Sequence, residues 1–588
     1  MGLNFTMNYN IGNIEFSSDT KYNLNMNCIE CNENFLKLKI SLDFKEPIVP
    51  DKVTVLWELP FSESFSQWNP TIWYNHNIKP NWSPVKLETR SAYGAPIQTY
   101  MSIDDKNCIT VALSDVKTPC MIISGVVEET SKISFKLELF CQKINPIDNY
   151  ETELWIDMRK IYYGDAINEV SAWWNELGYS SSYVPENACL PMYSTWYSYH
   201  QKLDHQTLVD ELKLAKSFGM ETVIIDDGWQ TDNSERGYAY CGDWKAVKLD
   251  RMEQFVKDVH DIGMKVMLWY SVPYVGKYSL AYNRFSDCFL HTTDRGWSIL
   301  DPRYPEVRKY LTDIYKNAVL NWKIDGLKLD FIDAFAMTEQ SHEPNDRMDF
   351  CSLEDAVCAL LSDIKSCLMQ INPEILIEFR QSYIGPIMRT YGNMIRVGDC
   401  PTDAIQNRTQ GAYLRLTSGQ AAVHSDMLMW AYEDSPQVAA LQIINSLFCV
   451  PQISVLIEKL SHEHKKMLKF YLDFWKTNRD CLLKGKFKAE NPAANFTLIS
   501  SEYEDKLIAI SYGNSVLDIE TNFKELIFIN ASSSKKLYIN NDSDAYDAQL
   551  LIMNCMGDII EKRDITVKEG INTFSVQLSG LVILKQNR

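Results

Sequence analysis

Positive charge is in short supply: 58 Lys and Arg stand against 77 Asp and Glu in 588 residues, a formal net charge of −19. Binding to nucleic acid needs clustered cations that displace counterions from phosphates, so that class is excluded. The acidic balance speaks for solubility. No run of eighteen apolar residues occurs, which excludes a membrane span of the hydropathy type. The opening MGLNFTMNYN has neither a basic start nor an apolar stretch, so no secretory signal is expected. Gly2 and Thr6 fit a loose acylation pattern that chance explains equally well. The fifteen cysteines are scattered and form no framework, which predicts free thiols in a reducing, cytoplasmic compartment. Cys28 and Cys31 have the spacing of half a zinc site, but no second pair follows, and no metal is expected.

What is present is a core. Hydrophobic residues make up 46% and charged residues 23%, proportions of a globular chain that buries a large interior. The length exceeds one ordinary domain, and two or three are expected. Residues 1–180 read as an N-terminal β-sandwich. Ile133-Ser-Phe-Lys-Leu-Glu-Leu alternates strictly, as a strand with one buried face does. Segments 35–44, 52–59, 108–113 and 120–127 are also strand-like and are separated by turn residues.

From 181 to 484 strands alternate with helices. Asp204 caps a helix with Leu208, Leu212 and Ala215 on one face, Gly219 ends it, and Thr222-Val-Ile-Ile-Asp follows as a buried strand. A helix through Phe255, Val256 and Val259 leads in the same way, through Gly263, to the strand Lys265-Val-Met-Leu-Trp-Tyr. Further strands are expected at 192–197, 325–331, 375–380, 393–398, 421–424 and 451–456. Helices are expected near 306–320, 352–370, 404–417, 435–448 and 462–478, with 380–393 at most weakly helical. Eight βα units predict a closed (β/α)8 TIM barrel, so the fold class is a multidomain one, α/β in the centre and all-β at both ends. Residues 485–588, with Leu507-Ile-Ala-Ile and Leu526-Ile-Phe-Ile, read as a small C-terminal β-sandwich domain.

Barrel active sites lie at the C-terminal ends of the strands, and here those ends are rich in charge: Asp226-Asp227, Lys328 and Asp330, Glu378 and Arg380, Arg396 and Asp399, His424 and Asp426. In the fourth strand alternation turns Leu327, Leu329 and Phe331 toward the helices and Gly326, Lys328 and Asp330 inward. Lys328 and Asp330 are either a structural ion pair or a lysine holding a nucleophilic carboxylate ionised. Asp399, between Gly398 and Cys400-Pro401, is either an Asx-turn residue or a general acid whose pKa is raised by Asp330 and by partial burial. Asp226 and Asp227 are either a metal pair without a third ligand or acceptors for vicinal sugar hydroxyls. Trp229 and Trp269 are either stacking platforms or packing. Arg396 pairs with a carboxylate or binds a hydroxyl. His424 and Asp426 fit a packed layer equally well. Trp196, ahead of His200 near the first strand, and Arg380 complete the candidate sugar-binding set.

These motifs resemble glycoside hydrolase family 36, of the clan that also holds families 27 and 31. Ile225-Asp226-Asp227-Gly228-Trp229 looks like the family's DDGW, Gly242-Asp243-Trp244 like its GDW, and Gly263-Met264 through Leu268-Trp269 like its GM…LW strand. Lys328-Leu329-Asp330 is similar to its K-W-D, and Arg396 through Asp399 to the segment with a sugar-binding Arg and the acid/base. The resemblance implies a retaining exo-α-glycosidase, an α-galactosidase first of all, with Asp330 as nucleophile and Asp399 as acid/base. It implies Asp226, Asp227, Trp229, Trp269, Lys328 and Arg396 around the sugar, an oligosaccharide or glycoside partner, and no cofactor. Two departures stand out. Glu378-Phe379-Arg380-Gln381-Ser382-Tyr383 replaces the usual Cys-x-Gly-Gly-Gly-Arg, and Gly-Asp-Cys-Pro replaces Ser-Asp-Asn-Thr. They keep open an α-N-acetylgalactosaminidase, an α-glucosidase, an α-xylosidase or a raffinose-synthase-like transglycosidase, and, as a different class, a non-catalytic carbohydrate-binding protein. An acidic barrel of this kind is compatible with a homo-oligomer, though no interface is legible.

Overall fold

The computed structural model describes residues 3–9, 12–18, 23–233, 235–520 and 523–586. Two six-stranded sheets make the N-terminal sandwich. In the strand Phe35–Ile48 the residues Leu36, Leu38, Ile40 and Leu42 are buried in alternation, and Val53, Val55, Trp57 and Leu59 do the same in Val53–Pro60. Both rows face one apolar core, as period-two side chains must when one face of each sheet is dry.

A helix, Tyr163–Glu176, joins the sandwich to the barrel. Its buried Trp173 lies 5.1 Å from the ring of Trp155 in the sandwich, and Trp174 Nε1 donates to the Leu113 carbonyl at 2.8 Å. The sandwich is therefore packed and hydrogen-bonded onto this helix.

Eight parallel strands close the barrel in the expected order: β1 (Met192–Ser194), β2 (Thr222–Ile225), β3 (Lys265–Ser271), β4 (Gly326–Asp330), β5 (Leu376–Arg380), β6 (Met394–Arg396), β7 (Ala422–Leu428) and β8 (Val450–Ile453). The lowest interior layer is apolar: Met192, Ile224, Met267, Leu376, Met394 and Ala422. Gly326 belongs to this layer, where a Cβ would come within 2.6 Å of the Leu376 Cβ. Two residues further along each strand the inward positions turn polar, with Asp226, Trp269, Lys328, Glu378, Arg396, His424 and Gln452. Two further still lie Asp330, Arg380 and Asp426. Strand periodicity thus stacks a charged layer on an apolar plug, with the mouth above.

The helices Pro305–Asn317, Leu353–Ile371, Ala404–Thr417, Pro436–Ile444 and His462–Lys484 fall where their patterns predict. The 380–393 connection holds one 3₁₀ turn, Met388–Thr390. Not anticipated is a three-stranded antiparallel sheet (Tyr274–Gly276, Phe289–Thr292, Trp297–Leu300) inserted after β3. The C-terminal strands form a seven-stranded and a three-stranded sheet. Ile499, Ile508, Ile510, Ile527 and Ile529 join the core of the barrel, whereas Leu507, Leu526 and Phe528 face a core of their own. Among the described residues no helix is long and apolar enough to cross a membrane.

Candidate active site

Asp330 is the last residue of β4 and is buried at the barrel mouth. Its Oδ1 accepts from Arg380 Nε at 2.5 Å and from the Phe331 N–H at 2.8 Å, and its Oδ2 accepts from Trp269 Nε1 at 2.9 Å. Burial alone pushes this carboxyl upward. Arg380, then Lys328, then the Trp269 bond outweigh it and hold the group well below the usual carboxylate range. Asp330 is therefore anionic at any working pH. The nearest cation differs from the one expected. Lys328 Nζ donates to Asp226 Oδ2 at 2.6 Å, so Lys328 and Asp226 form the buried pair and Lys328 acts on Asp330 only through space.

Asp226 and Asp227 follow β2 directly. Asp227 accepts from Gln201 Nε2 at 2.8 Å and Gln230 Nε2 at 2.7 Å. Burial raises its pKa to about 6, with these two amides opposing and Asp226 adding to the rise. Two buried carboxylates, one lysine and two amides are thus gathered into one hydrogen-bonded cluster near the C-terminal ends of β2 and β4. No group of three or more His, Cys, Asp or Glu suited to a metal ion occurs among the described residues.

Asp399 follows β6, and its side chain is 56% exposed in the mouth. Arg396 Nη2 donates to its Oδ1 at 2.8 Å. The expected rise in its pKa does not occur. Burial and the charge of Asp330 do raise it, but Arg396, aided by Lys328 and Arg380, outweighs them and leaves it below the ordinary value. The Arg396 guanidinium also bonds Asp426 on β7, so it sits between two carboxylates.

The tryptophans divide. Trp269 is buried, holds Asp330, and has its ring nearly parallel to that of Tyr238 at 6.1 Å. Trp229 is not in the mouth. Gly228, at φ 116°, turns the chain, and the Trp229 ring is fully buried among Trp244, Tyr270 and Trp322 with Nε1 donating to the Trp269 carbonyl at 3.0 Å. It is packing behind the barrel wall, because no face of it reaches solvent. Asp243 of the GDW motif is likewise structural, accepting from the Leu280 and Ala281 N–H groups at 2.9 Å. Trp196 is partly exposed on the turn after β1, with Arg236 over its ring and His200 against its edge.

Other residues of the mouth were not anticipated. Phe331, expected toward the helices, has φ 63° and instead stacks on Tyr274 with the Arg380 guanidinium 5.1 Å from its ring. Tyr238 packs on both Trp269 and Phe331. From the sandwich, Trp73 is 45% exposed and lies so near Gly398 that a Cβ there would meet its ring at 3.4 Å. Gln410 Nε2 donates to the Ile72 carbonyl at 3.0 Å, the Tyr413 hydroxyl bonds His76 Nε2 at 2.6 Å, and the Tyr74 hydroxyl donates to Asp403 at 2.7 Å. Segment 72–76 is thereby tied to the helix Ala404–Thr417. Only contact across more than three hundred residues brings it there, and no local pattern announces it.

Comparison with known proteins bears on the family and on the fold. The family model described as Melibiase matches residues 161–485. The alpha-galactosidase Mel36A of Lactobacillus acidophilus is 23% identical over 224 residues, 35% of this chain and 30% of that one. The aligned part thus spans less than a third of that relative. Among solved structures, the alpha-galactosidase of Lactobacillus brevis superposes with a TM-score of 0.66 at 15% identity, covering 100% of this chain and 84% of that one. A variant of the GH36 alpha-galactosidase AgaA of Geobacillus stearothermophilus, in complex with raffinose, gives 0.64 at 15% identity, with 100% and 83% covered. These likenesses establish the three-part fold.

Proposed function

The chain belongs to the melibiase family, glycoside hydrolase family 36, and from that we propose that it is a retaining exo-α-galactosidase acting on terminal α-linked galactose of an oligosaccharide. The observation that carries the reading is the contrast between two carboxylates at one barrel mouth. Asp330 is buried, doubly supported by Arg380 and Trp269, and permanently charged. Asp399 is half in solvent and bonded by one arm of Arg396. A double displacement needs a fixed anion beside a second carboxyl that water can reach, and the proton that Asp399 delivers has to be held there against the pull of Arg396.

In the first step Asp330 attacks the anomeric carbon while protonated Asp399 gives its proton to the leaving oxygen. In the second, Asp399 takes a proton from water that attacks the same carbon and releases Asp330. Trp269 and Arg380 fix the rotamer of Asp330, so the reacting oxygen is oriented before the sugar arrives. Asp226, Asp227 and Lys328 receive the hydroxyls remote from the bond being cut. The fifteen cysteines are all free thiols, which fits a cytoplasmic site of action.

A second reading, an exo-α-glycosidase for another sugar, is favoured by one observation: Arg380 stands against Asp330 where a glycine-rich loop is usual. Hydrolysis of a panel of aryl α-glycosides (galactoside, N-acetylgalactosaminide, glucoside, xyloside) separates the two. Release from the galactoside alone supports the first, and release from another member in its place supports the second. With the substrate so found, Asp330→Ala is expected to leave no measurable turnover, and appreciable residual activity removes Asp330 as nucleophile. Asp399→Ala is expected to retain turnover of activated aryl glycosides and to be rescued by azide.

A further inference from the structure

Asp426 is wholly buried on β7, in the same barrel layer as Asp330 and Arg380. Its Oδ2 accepts from the Cys400 N–H at 2.7 Å and from the Tyr197 hydroxyl at 3.0 Å. Its Oδ1 accepts from Arg396 Nη1, while Nη2 of the same guanidinium donates to Asp399 at 2.8 Å. Its backbone is pinned as well, the N–H donating to Asn407 Oδ1 at 3.1 Å. One cation is forked between a carboxylate locked in the wall and a carboxylate in the mouth. Arg396 Nε makes no hydrogen bond, and Glu378 is 3.7 Å away, so no third carboxylate hydrogen-bonds this guanidinium.

We propose that Asp426 is a positioning residue for Asp399: by holding one arm of Arg396 it limits the pull of that cation on Asp399 and so sets the pH above which Asp399 gives up the proton it delivers to the leaving group. This rests on the reading of Asp399 as the acid/base.

A carboxylate beside an undivided cation is depressed by about 1–3 pH units. A second carboxylate on the same cation shares its donors and adds repulsion, which works the other way. The surrounding charges have fixed signs. Asp399 faces Arg396, Lys328 and Arg380, which lower it, and Asp330, which raises it along with burial. Burial and Asp399 raise Asp426 and Arg396 lowers it, and the three donors on its two oxygens, Arg396 Nη1, the Cys400 N–H and the Tyr197 hydroxyl, hold it as the acceptor-only anion. The two acids share one cation, so they titrate together. His424, the other titratable group on β7, is kept neutral by burial with its pKa near 4, and Tyr197 is a neutral donor. Asp426 is therefore the carboxylate whose removal changes how Arg396 is divided.

The test is the pH dependence of kcat/KM for two α-galactosides, phenyl and 2,4-dinitrophenyl, with D426N, which removes the charge and keeps the shape. The alkaline limb for the phenyl substrate is expected to move down by about one pH unit, a loss of roughly tenfold above the limb. The dinitrophenyl substrate, whose leaving group needs no proton, should lose less than about twofold. Y197F, at a partly exposed position, removes one hydrogen bond from ionised Asp426 and should move the limb the same way by less; it carries the test if D426N does not fold. Unmoved limbs in both variants, or equal losses on both substrates at every pH, overturn the proposal. D399A measured alongside separates the two failures. Without azide rescue or leaving-group dependence it is the acid/base reading that falls, and Asp426 with it.

Discussion

Arg380→Gln is expected to raise the pH at which Asp330 loses its charge. Arg380 Nε lies 2.5 Å from Asp330 Oδ1, with the two side chains 17% and 8% exposed, so solvent screens the pair little. An opposite charge at such range lowers a carboxyl by about 1–3 units, or roughly 1.4–4 kcal/mol. In the variant Lys328 and the Trp269 bond remain, so part of the depression persists. The sign follows from the role proposed for Asp330, since a nucleophile needs its charge. In the unaltered enzyme no acid limb from Asp330 appears within the stable pH range. In the variant the limb of kcat/KM moves up by about 1–3 pH units and becomes measurable. Stability follows the same linkage. A depressed carboxyl contributes stability above its unfolded value of about 3.9 and loses it as pH falls through the folded value. The gap in Tm between the two proteins should therefore be widest near neutrality and narrow below about pH 4. The assay is a pH series on an aryl α-galactoside beside thermal melts in the same buffers. Coincident acid limbs would refute Arg380 as the cation that fixes the charge of Asp330. Arg380→Lys, which keeps the charge without the planar fork, should restore part of the shift.

Trp229→Ala should cost about 3–5 kcal/mol of stability by opening a cavity among the three rings of Trp244, Tyr270 and Trp322, while Trp229→Phe should fold and leave KM unchanged; a KM rise in the Phe variant at unchanged stability would return Trp229 to the sugar site. His424, held neutral by burial with its pKa near 4, leaves the unfolded chain binding the extra proton below about pH 6.5. Stability should then fall by up to about 3 kcal/mol as pH drops from 6.5 toward 4. Urea unfolding of His424→Gln should show a flatter pH dependence over that window, and an unchanged slope would contradict the assignment.

The barrel was legible because its strands are short apolar runs closed by Gly and charged residues, and its helices carry one apolar face. Both are local signals. The inward direction of Lys328 and Asp330 followed from alternation within one strand and needed no partner. What escaped depends on partners or on single backbone angles. Trp229 stands four residues after Ile225, but the turn at Gly228 reverses its side, and a β-strand period cannot be extended through a positive φ. Phe331 was misdirected for the same reason. Nearness in sequence points to Lys328 as the cation beside Asp330, whereas Arg380 reaches it from the neighbouring strand. Local pattern does not decide between packing and function for Asp426, since only the fork of Arg396, a three-body contact, distinguishes them.

The stitching of segment 72–76 to the helix Ala404–Thr417 bears on how the protein comes apart. The family match begins at residue 161 and omits Trp73, Tyr74 and His76, yet these groups border the strand end that carries Asp399. A fragment starting there would strand Gln410 and Tyr413 without their buried partners and deprive Trp174 of the Leu113 carbonyl. Local opening free energies follow such contacts, so amide exchange at Gly398 and Asp399 should rise only when the sandwich itself opens. On that expectation the end of β6 and the N-terminal sheets melt as one cooperative unit, with segment 72–76 as the seam between them.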